Sequence, residues 1–125
     1  MNSTREHIPD RYRLRTVADF ARIRSEGRAI RGAHCLVVRL ACPGEAARMA
    51  FVASRKGVGG AVQRNRARRR LREIVRRRWP RMVHEGLWLM FVPYRSALNV
   101  PHLELELDIE RLLTQAGAMP RPAED

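Results

Sequence analysis

Positions 64 to 81 hold the chemically loaded part of this chain: ten arginines stand there against one acid, Glu73, a net charge of +9. A guanidinium is planar, permanently charged and carries five donors in a fixed fork, which matches phosphate oxygens better than an ammonium does. Arginine dominates throughout, with Lys56 the one lysine among 25 basic residues. Solvated helix faces mix signs so that residues four apart can pair, and ten bases facing one acid do not follow that pattern. The chemistry predicted is contact with a polyanion.

Groups able to cleave a phosphodiester are missing from the pattern. A protein nuclease needs clustered carboxylates for metal ions, or a histidine acid–base pair beside the phosphate. The acids gather at Glu104, Glu106, Asp108 and Glu110, within a segment, 82–125, whose net charge is −4. Their spacing reads as a solvated helix face. His7, His34, His84 and His102 stand apart with no metal-ligand spacing, and His34-Cys35 has no second pair to complete a zinc site. No P-loop or nucleophile elbow occurs. The expectation is a chain with no catalytic residue, no metal ligand and no bound cofactor.

The elements that must position the arginines follow from length and periodicity. With 125 residues, 45% of them hydrophobic, the chain makes one domain with a modest core. The longest apolar run, Leu87 to Val92, is far short of the ~20 residues that span a bilayer. Residues 1–7 have no apolar core of a secretory signal, and Cys35 with Cys42 cannot make a disulfide framework. With a net charge of +12, these features predict a cytoplasmic nucleic-acid binder with no membrane association.

Thr16-Val17-Ala18-Asp19 has capping spacing, and Val17, Phe20, Ala21 and Ile23 continue it, which predicts a helix over about 17–26. His34 to Leu40 and Met49 to Ala53 read as strands separated by a turn at Ala41-Cys42-Pro43-Gly44-Glu45. From about 61 to 79, Ala67, Leu71, Ile74 and Val75 make one apolar stripe. Asn65, Arg66, Arg69, Arg72 and Arg76 point away from it, and Arg64 and Arg68 flank it. Leu87 to Val92 reads as a central strand buried on both faces. Residues 101–116 alternate like a strand at first, yet Leu and Glu content, Pro101 and Gly117 favour a helix. The expected organisation is a flexible arm over 1–12, an α+β domain over 13–117 and a disordered tail over 118–125.

Two further regions bear on binding. Gly57, Gly59 and Gly60 precede the arginine helix, and Arg55 and Lys56 precede them, so phosphate contact at that loop is as expected as a plain connector. Seven aromatic residues are too few for a broad stacking platform, so phosphate contact should dominate. Phe20 belongs either to the core or to a surface that stacks single-stranded bases.

The run Arg55-Lys56-Gly57-Val58-Gly59-Gly60-Ala61-Val62-Gln63-Arg64-Asn65-Arg66-Ala67-Arg68-Arg69-Arg70-Leu71-Arg72-Glu73 resembles the signature of the bacterial ribonuclease P protein subunit. Upstream, Leu14-Arg15, Asp19-Phe20 and Gly27 are similar to that family's first helix, and the likeness extends over about 11–116. One additional residue separates Arg55-Lys56 from Ala61-Val62, and Arg24 stands one turn after Phe20 where relatives often have a second aromatic. The resemblance implies a single-domain α/β sandwich with a mixed four-stranded sheet and an arginine-rich crossover helix between parallel strands, a fold shared with a ribosomal protein domain. It implies a subunit of an endoribonuclease whose catalytic groups and Mg²⁺ belong to a large RNA, which removes the 5′ leader of precursor tRNA. Arg64, Asn65, Arg66, Arg68, Arg69 and Arg72 would face that RNA, with Arg55, Lys56, Gly59 and Gly60 forming a phosphate loop. Phe20 and Arg24 would line the leader cleft. The partners implied are the catalytic RNA and precursor tRNA, with no protein partner. The competing expectation is a ribosomal or ribosome-assembly RNA-binding protein, which would share the arginine helix without needing the first helix, the glycine turn and Arg64-Asn65-Arg66 together.

Overall fold

Alternating apolar positions on the strands decide where each helix packs. The structure, a computed structural model, describes residues 8–120. Its elements in chain order are α1 (Val17–Glu26), β1 (Arg28–Arg31), β2 (Cys35–Ala46), β3 (Arg48–Phe51), α2 (Ala61–Arg78), β4 (Glu85–Pro93) and α3 (His102–Gln115). The four strands form one sheet in the order β1-β2-β4-β3, with β3 parallel to β4 and the other pairs antiparallel. This is the mixed four-stranded α+β domain expected, with α2 as the crossover from β3 to its parallel neighbour.

On one face, Cys35, Val37, Met49, Leu87, Leu89 and Phe91 pack against Leu71, Ile74 and Val75 of α2 and Leu105, Ile109, Leu112 and Leu113 of α3. On the other, Ala50, Trp88 and Met90 meet Leu14 and Ile23, with Phe20 half-buried beside them. β4 is therefore covered on both sides, as its unbroken apolar run requires. The helix predicted over 17–26 forms with the Thr16 hydroxyl accepting from Asp19 N at 3.0 Å. A Cβ at Gly27 would collide with the Ile23 carbonyl and the Val38 side chain, which explains the glycine there.

Several expectations are corrected. The turn assigned to Ala41–Glu45 is strand: β2 runs through it to Ala46, with Gly44 at φ +84° and a register shift against β4 between Ala41 and Ala46. β1 pairs only with residues 36–39, so Pro43 lies where that flank of β2 has no partner and its missing N–H costs no bond on that side. The chain then crosses the start of β4, with Ala47 N donating to His84 O at 3.0 Å, and enters β3 on its far side. β1 itself has too few alternating apolar residues to be legible.

The packed chain also reaches past the expected limits of 13–117. Ile8 and Tyr12 pack against the main core, and the Tyr12 ring lies 4.7 Å from that of Trp79. Ala118 and Met119 are buried, and Ala118 accepts from Val83 N at 2.9 Å. The rest of the predicted arm and tail, 1–7 and 121–125, lies outside the described residues.

Candidate nucleic-acid interface

The arginine helix is held by its stripe rather than by its charges. Ala67, Leu71, Ile74 and Val75 are all fully buried. Burial of each large aliphatic chain contributes about 1.5–3 kcal/mol, whereas a like-charge pair four apart on an exposed helix costs about 0.2–0.5 kcal/mol. Packing wins, and α2 holds its polybasic surface without a compensating acid on every turn.

Its arginines separate into three sets. Arg64, Arg68, Arg72 and Arg76, four residues apart, descend one flank in steps of about 6 Å along the axis. Asn65, next to this row, accepts a hydrogen bond from Arg68, which fixes that guanidinium. Arg69 stands beside them, exposed and, among the described residues, without a hydrogen-bond or ion-pair partner.

A second set serves the fold. Arg70 donates to Ala97 O at 2.8 Å and Val100 O at 2.6 Å, and Arg66 Nε donates to Leu98 O at 3.0 Å. These carbonyls belong to a 3₁₀ turn, Arg95–Leu98, and the chain after it. Partial burial, and next the neighbouring Arg66, holds the Arg70 pKa below the ordinary arginine value. Arg66, expected to face RNA alone, therefore divides its guanidinium between the fold and solvent.

The third set is paired with acids, and Arg76, the last of the row, belongs to it as well. Arg78 reaches Glu106 at 3.2 Å and Glu110 at 2.6 Å on α3, and Glu73 accepts from Arg76 at 2.5 Å and Arg77 at 3.3 Å. The Arg76 hydrogen bond, before the other causes, holds the Glu73 carboxyl below the usual carboxylate range. The acids of α3 are thus more than the solvated face expected from their spacing. Buried Asp108 accepts from Ala33 N and His34 N, both at 2.9 Å, and Glu104 meets His34 Nε2 at 2.9 Å.

The row on α2 ends in a cleft of about 300 Å³, lined by Ile8, Asp10, Tyr12, Arg13, Leu14, Phe20, Met49, Ala50, Phe51, Arg72 and Arg76. The cleft lies at the β3 edge of the sheet, between α2 on one side and α1 with the preceding segment on the other. Leu14 N donates to Met49 O at 2.8 Å and lays that segment along the edge. Arg72 stands 5.6 Å over the Phe51 ring, and Phe51 stacks on Phe91 at 5.0 Å. Burial first, then Arg13, Arg68 and Arg69, lowers the Arg72 pKa from its ordinary value. Phe20 packs on the α1-side core, as its first reading expects, and also lines the cleft. Arg24 lies 5.6 Å over the Phe20 ring, outside the lining itself.

The glycine loop holds its charges outward. Gly57 N donates to Ser54 Oγ at 2.9 Å, and fully buried Val58 anchors the loop beside Ala53, Ala67 and Leu98. Arg55 and Lys56 are exposed, Gly59 takes a φ of +134°, and Gly60 caps α2 with no side-chain acceptor for its first N–H groups. Tyr12, Arg13, Phe51 and Arg76 join the site without having been singled out for it. Tyr12 and Arg13 come from the segment before α1, Phe51 from β3 and Arg76 from α2, and no local pattern brings the three together. Among the described residues no three His, Cys, Asp or Glu side chains form a group able to hold a metal ion, and no helix is long and apolar enough to cross a membrane.

This arrangement has relatives. Residues 8–117 match the family described as Ribonuclease P. The ribonuclease P protein component of Chloroflexus aurantiacus is 39% identical over 114 residues, covering 91% of this chain and 84% of that protein. That of Acidothermus cellulolyticus is 47% identical over 107 residues, covering 81% and 86%. The structure of the Staphylococcus aureus RNase P protein has the same fold, with a TM-score of 0.73 at 23% identity, covering 86% of this chain and 97% of that one. The chain belongs to the ribonuclease P protein family, as a protein component of that tRNA-processing enzyme.

Proposed function

We propose that this protein binds the catalytic RNA of ribonuclease P through α2 and the Arg55–Gly60 loop, and takes the 5′ leader of precursor tRNA into the cleft beside β3. The observation that carries the reading is the row Arg64, Arg68, Arg72 and Arg76, which runs from an open helix face into a cleft edged by Tyr12, Phe20 and Phe51. Phosphates along the row and bases on the aromatic edges divide a single strand as stacking clefts do. Arg64, Arg66, Arg68, Arg69, Arg72, Arg55 and Lys56 are the groups assigned to phosphate, Arg66 through the terminal nitrogens that its Leu98 bond leaves, with Asn65 orienting Arg68. The buried, unpartnered Arg64 Nε favours a phosphate here, since turning that side chain outward satisfies the donor. The Gln63 side chain lies against Gly59 and Gly60, so a phosphate at the start of α2 would require that flexible side chain to swing aside.

In this reading the chain lowers the cost of joining two polyanions, and cleavage is performed by the RNA with its own Mg²⁺. The compartment is the cytoplasm, where precursor tRNA is made. The test combines the purified protein with a bacterial ribonuclease P RNA, low Mg²⁺ and a precursor tRNA carrying a 5′ leader. Cleavage at the mature 5′ end that needs both protein and RNA is the expected result. No stimulation with any ribonuclease P RNA, together with tight binding to ribosomal RNA, would overturn it.

A further inference from the structure

His34 stands at the meeting point of three elements that are distant in sequence. Its backbone N–H is fixed by Asp108 of α3, and its ring lies between Ser96 Oγ at Nδ1 and Glu104 Oε2 at Nε2, both at 2.9 Å. A carboxylate only accepts, so Nε2 carries a proton towards Glu104, and Nδ1 shares a hydrogen bond with the Ser96 hydroxyl, which can donate or accept. Ser96 lies in the Arg95–Leu98 turn, whose Leu98 carbonyl accepts from Arg66 Nε at 3.0 Å. The side chain of His34 is largely enclosed, at 13% exposure, so this link works in a partly dehydrated setting.

We infer that His34 and Ser96 are positioning residues for RNA contact, acting through the Arg95–Leu98 turn to set the guanidinium of Arg66. The inference rests on the proposal that α2 is the RNA face. An arginine has four rotatable side-chain bonds, and a fixed carbonyl acceptor on Nε removes much of that freedom while leaving the two terminal nitrogens for phosphate. The turn can do this only if it is itself held, and Arg70 together with the Ser96–His34–Glu104 chain holds it from both sides. The alternative role, a purely structural clasp, would lower stability without any dependence on Arg66.

The test measures affinity for the ribonuclease P RNA in H34A, S96A, R66A, R69A and the doubles H34A/R66A and H34A/R69A. The expected result is a loss of roughly threefold to tenfold in H34A and S96A, the range of one hydrogen bond. That loss disappears in the R66A background and persists in the R69A background. H34Q, whose amide both donates and accepts, should recover most of the affinity. Losses that add in H34A/R66A, or no loss in H34A and S96A, overturn the positioning role. If R66A and R69A themselves leave RNA affinity unchanged, the RNA face is wrongly assigned, which is a separate failure. Should H34A not fold, S96A and S96A/R66A give the same comparison, because Ser96 is exposed on its turn.

Discussion

The guanidinium of Arg72 lies 5.6 Å over the ring of Phe51, placing the charge of α2 against the aromatic floor of the cleft. Arg72 and Arg76 both reach the cleft, and Arg76 is already paired with Glu73, so Arg72 is the member of the row left to join the two halves of the proposed interface. Arg72→Ala is expected to weaken both catalytic-RNA binding and the stimulation of leader-bearing substrate. Arg69→Ala should affect RNA binding alone. Arg72→Lys should keep part of the charge effect and lose the forked donor geometry that suits phosphate. Equal responses to leader-bearing and leaderless substrate in Arg72→Ala would count against the cleft.

Salt dependence should report how many arginines remain for phosphate. With about six contacts, affinity should fall roughly 10³-fold between 50 and 200 mM salt, taking the duplex-DNA scale as an upper guide. Arg64→Ala and Arg69→Ala should each lower the slope of log affinity against log salt by about one. Arg78→Ala should leave it unchanged, because Glu106 and Glu110 already occupy that side chain. Binding titrations at four or five salt concentrations decide it.

Arg70→Ala should act on stability. It leaves the carbonyls of Ala97 and Val100 without their donors, at about 1–3 kcal/mol. Urea denaturation should register this loss, and RNA affinity should fall several-fold as well, because Arg70 helps hold the turn that sets Arg66.

Asp108→Ala removes the acceptor for two backbone N–H groups at the turn between β1 and β2, and the ion pair with half-exposed Arg111. A loss of about 3 kcal/mol is expected from charge-assisted bonds at a buried site. Gly32→Ala should be comparably harmful, since its Cβ would press on Asp108 Oδ2, Cys35 O and Leu112 Cδ1, each at 2.8 Å. Thermal melts of both variants check this.

Burial, followed by the nearby Asp108, pushes the Cys35 thiol up to about 12. The native thiol should therefore resist alkylation at pH 8 and react once the chain unfolds. Because the folded pKa is the higher one, this group stabilises fully below its unfolded value near 9 and loses that contribution as pH rises towards 12. Glu73 behaves oppositely: its depressed pKa stabilises above the ordinary value of 4.5 and the contribution fades as pH falls through the folded value. Titrating the Glu73 carboxyl by NMR should give a midpoint below 4.5.

Charge and periodicity made much of the interface legible. Ala67, Leu71, Ile74 and Val75 marked one buried stripe, so the arginines beside it had to be surface groups whatever the rest of the chain did. The same logic placed β4 at the centre, because Leu87 to Val92 offers no polar face to water. The Thr16 cap, and for α3 the Leu and Glu content with Pro101 and Gly117, were local signals and gave elements close to those observed.

Tertiary structure decided which arginines are free. The helical period puts Arg66 and Arg70 on one flank of α2 and Arg69 away from it, but does not say which flank meets acceptors. A turn 30 residues away brings carbonyls to that one flank and none to the other. Arg78 is likewise spent on α3, and Asp108 turns inward because β1 and β2 deliver two N–H groups to it. The cleft needs Tyr12, Phe20, Phe51 and Arg72 from four elements, and only the sheet order, with β3 at the edge, brings them together. By itself the sequence determined the class of partner, since net charge and residue type are properties of the chain alone. Which donors remain for that partner depends on acceptors far along the chain, and only the fold supplies those.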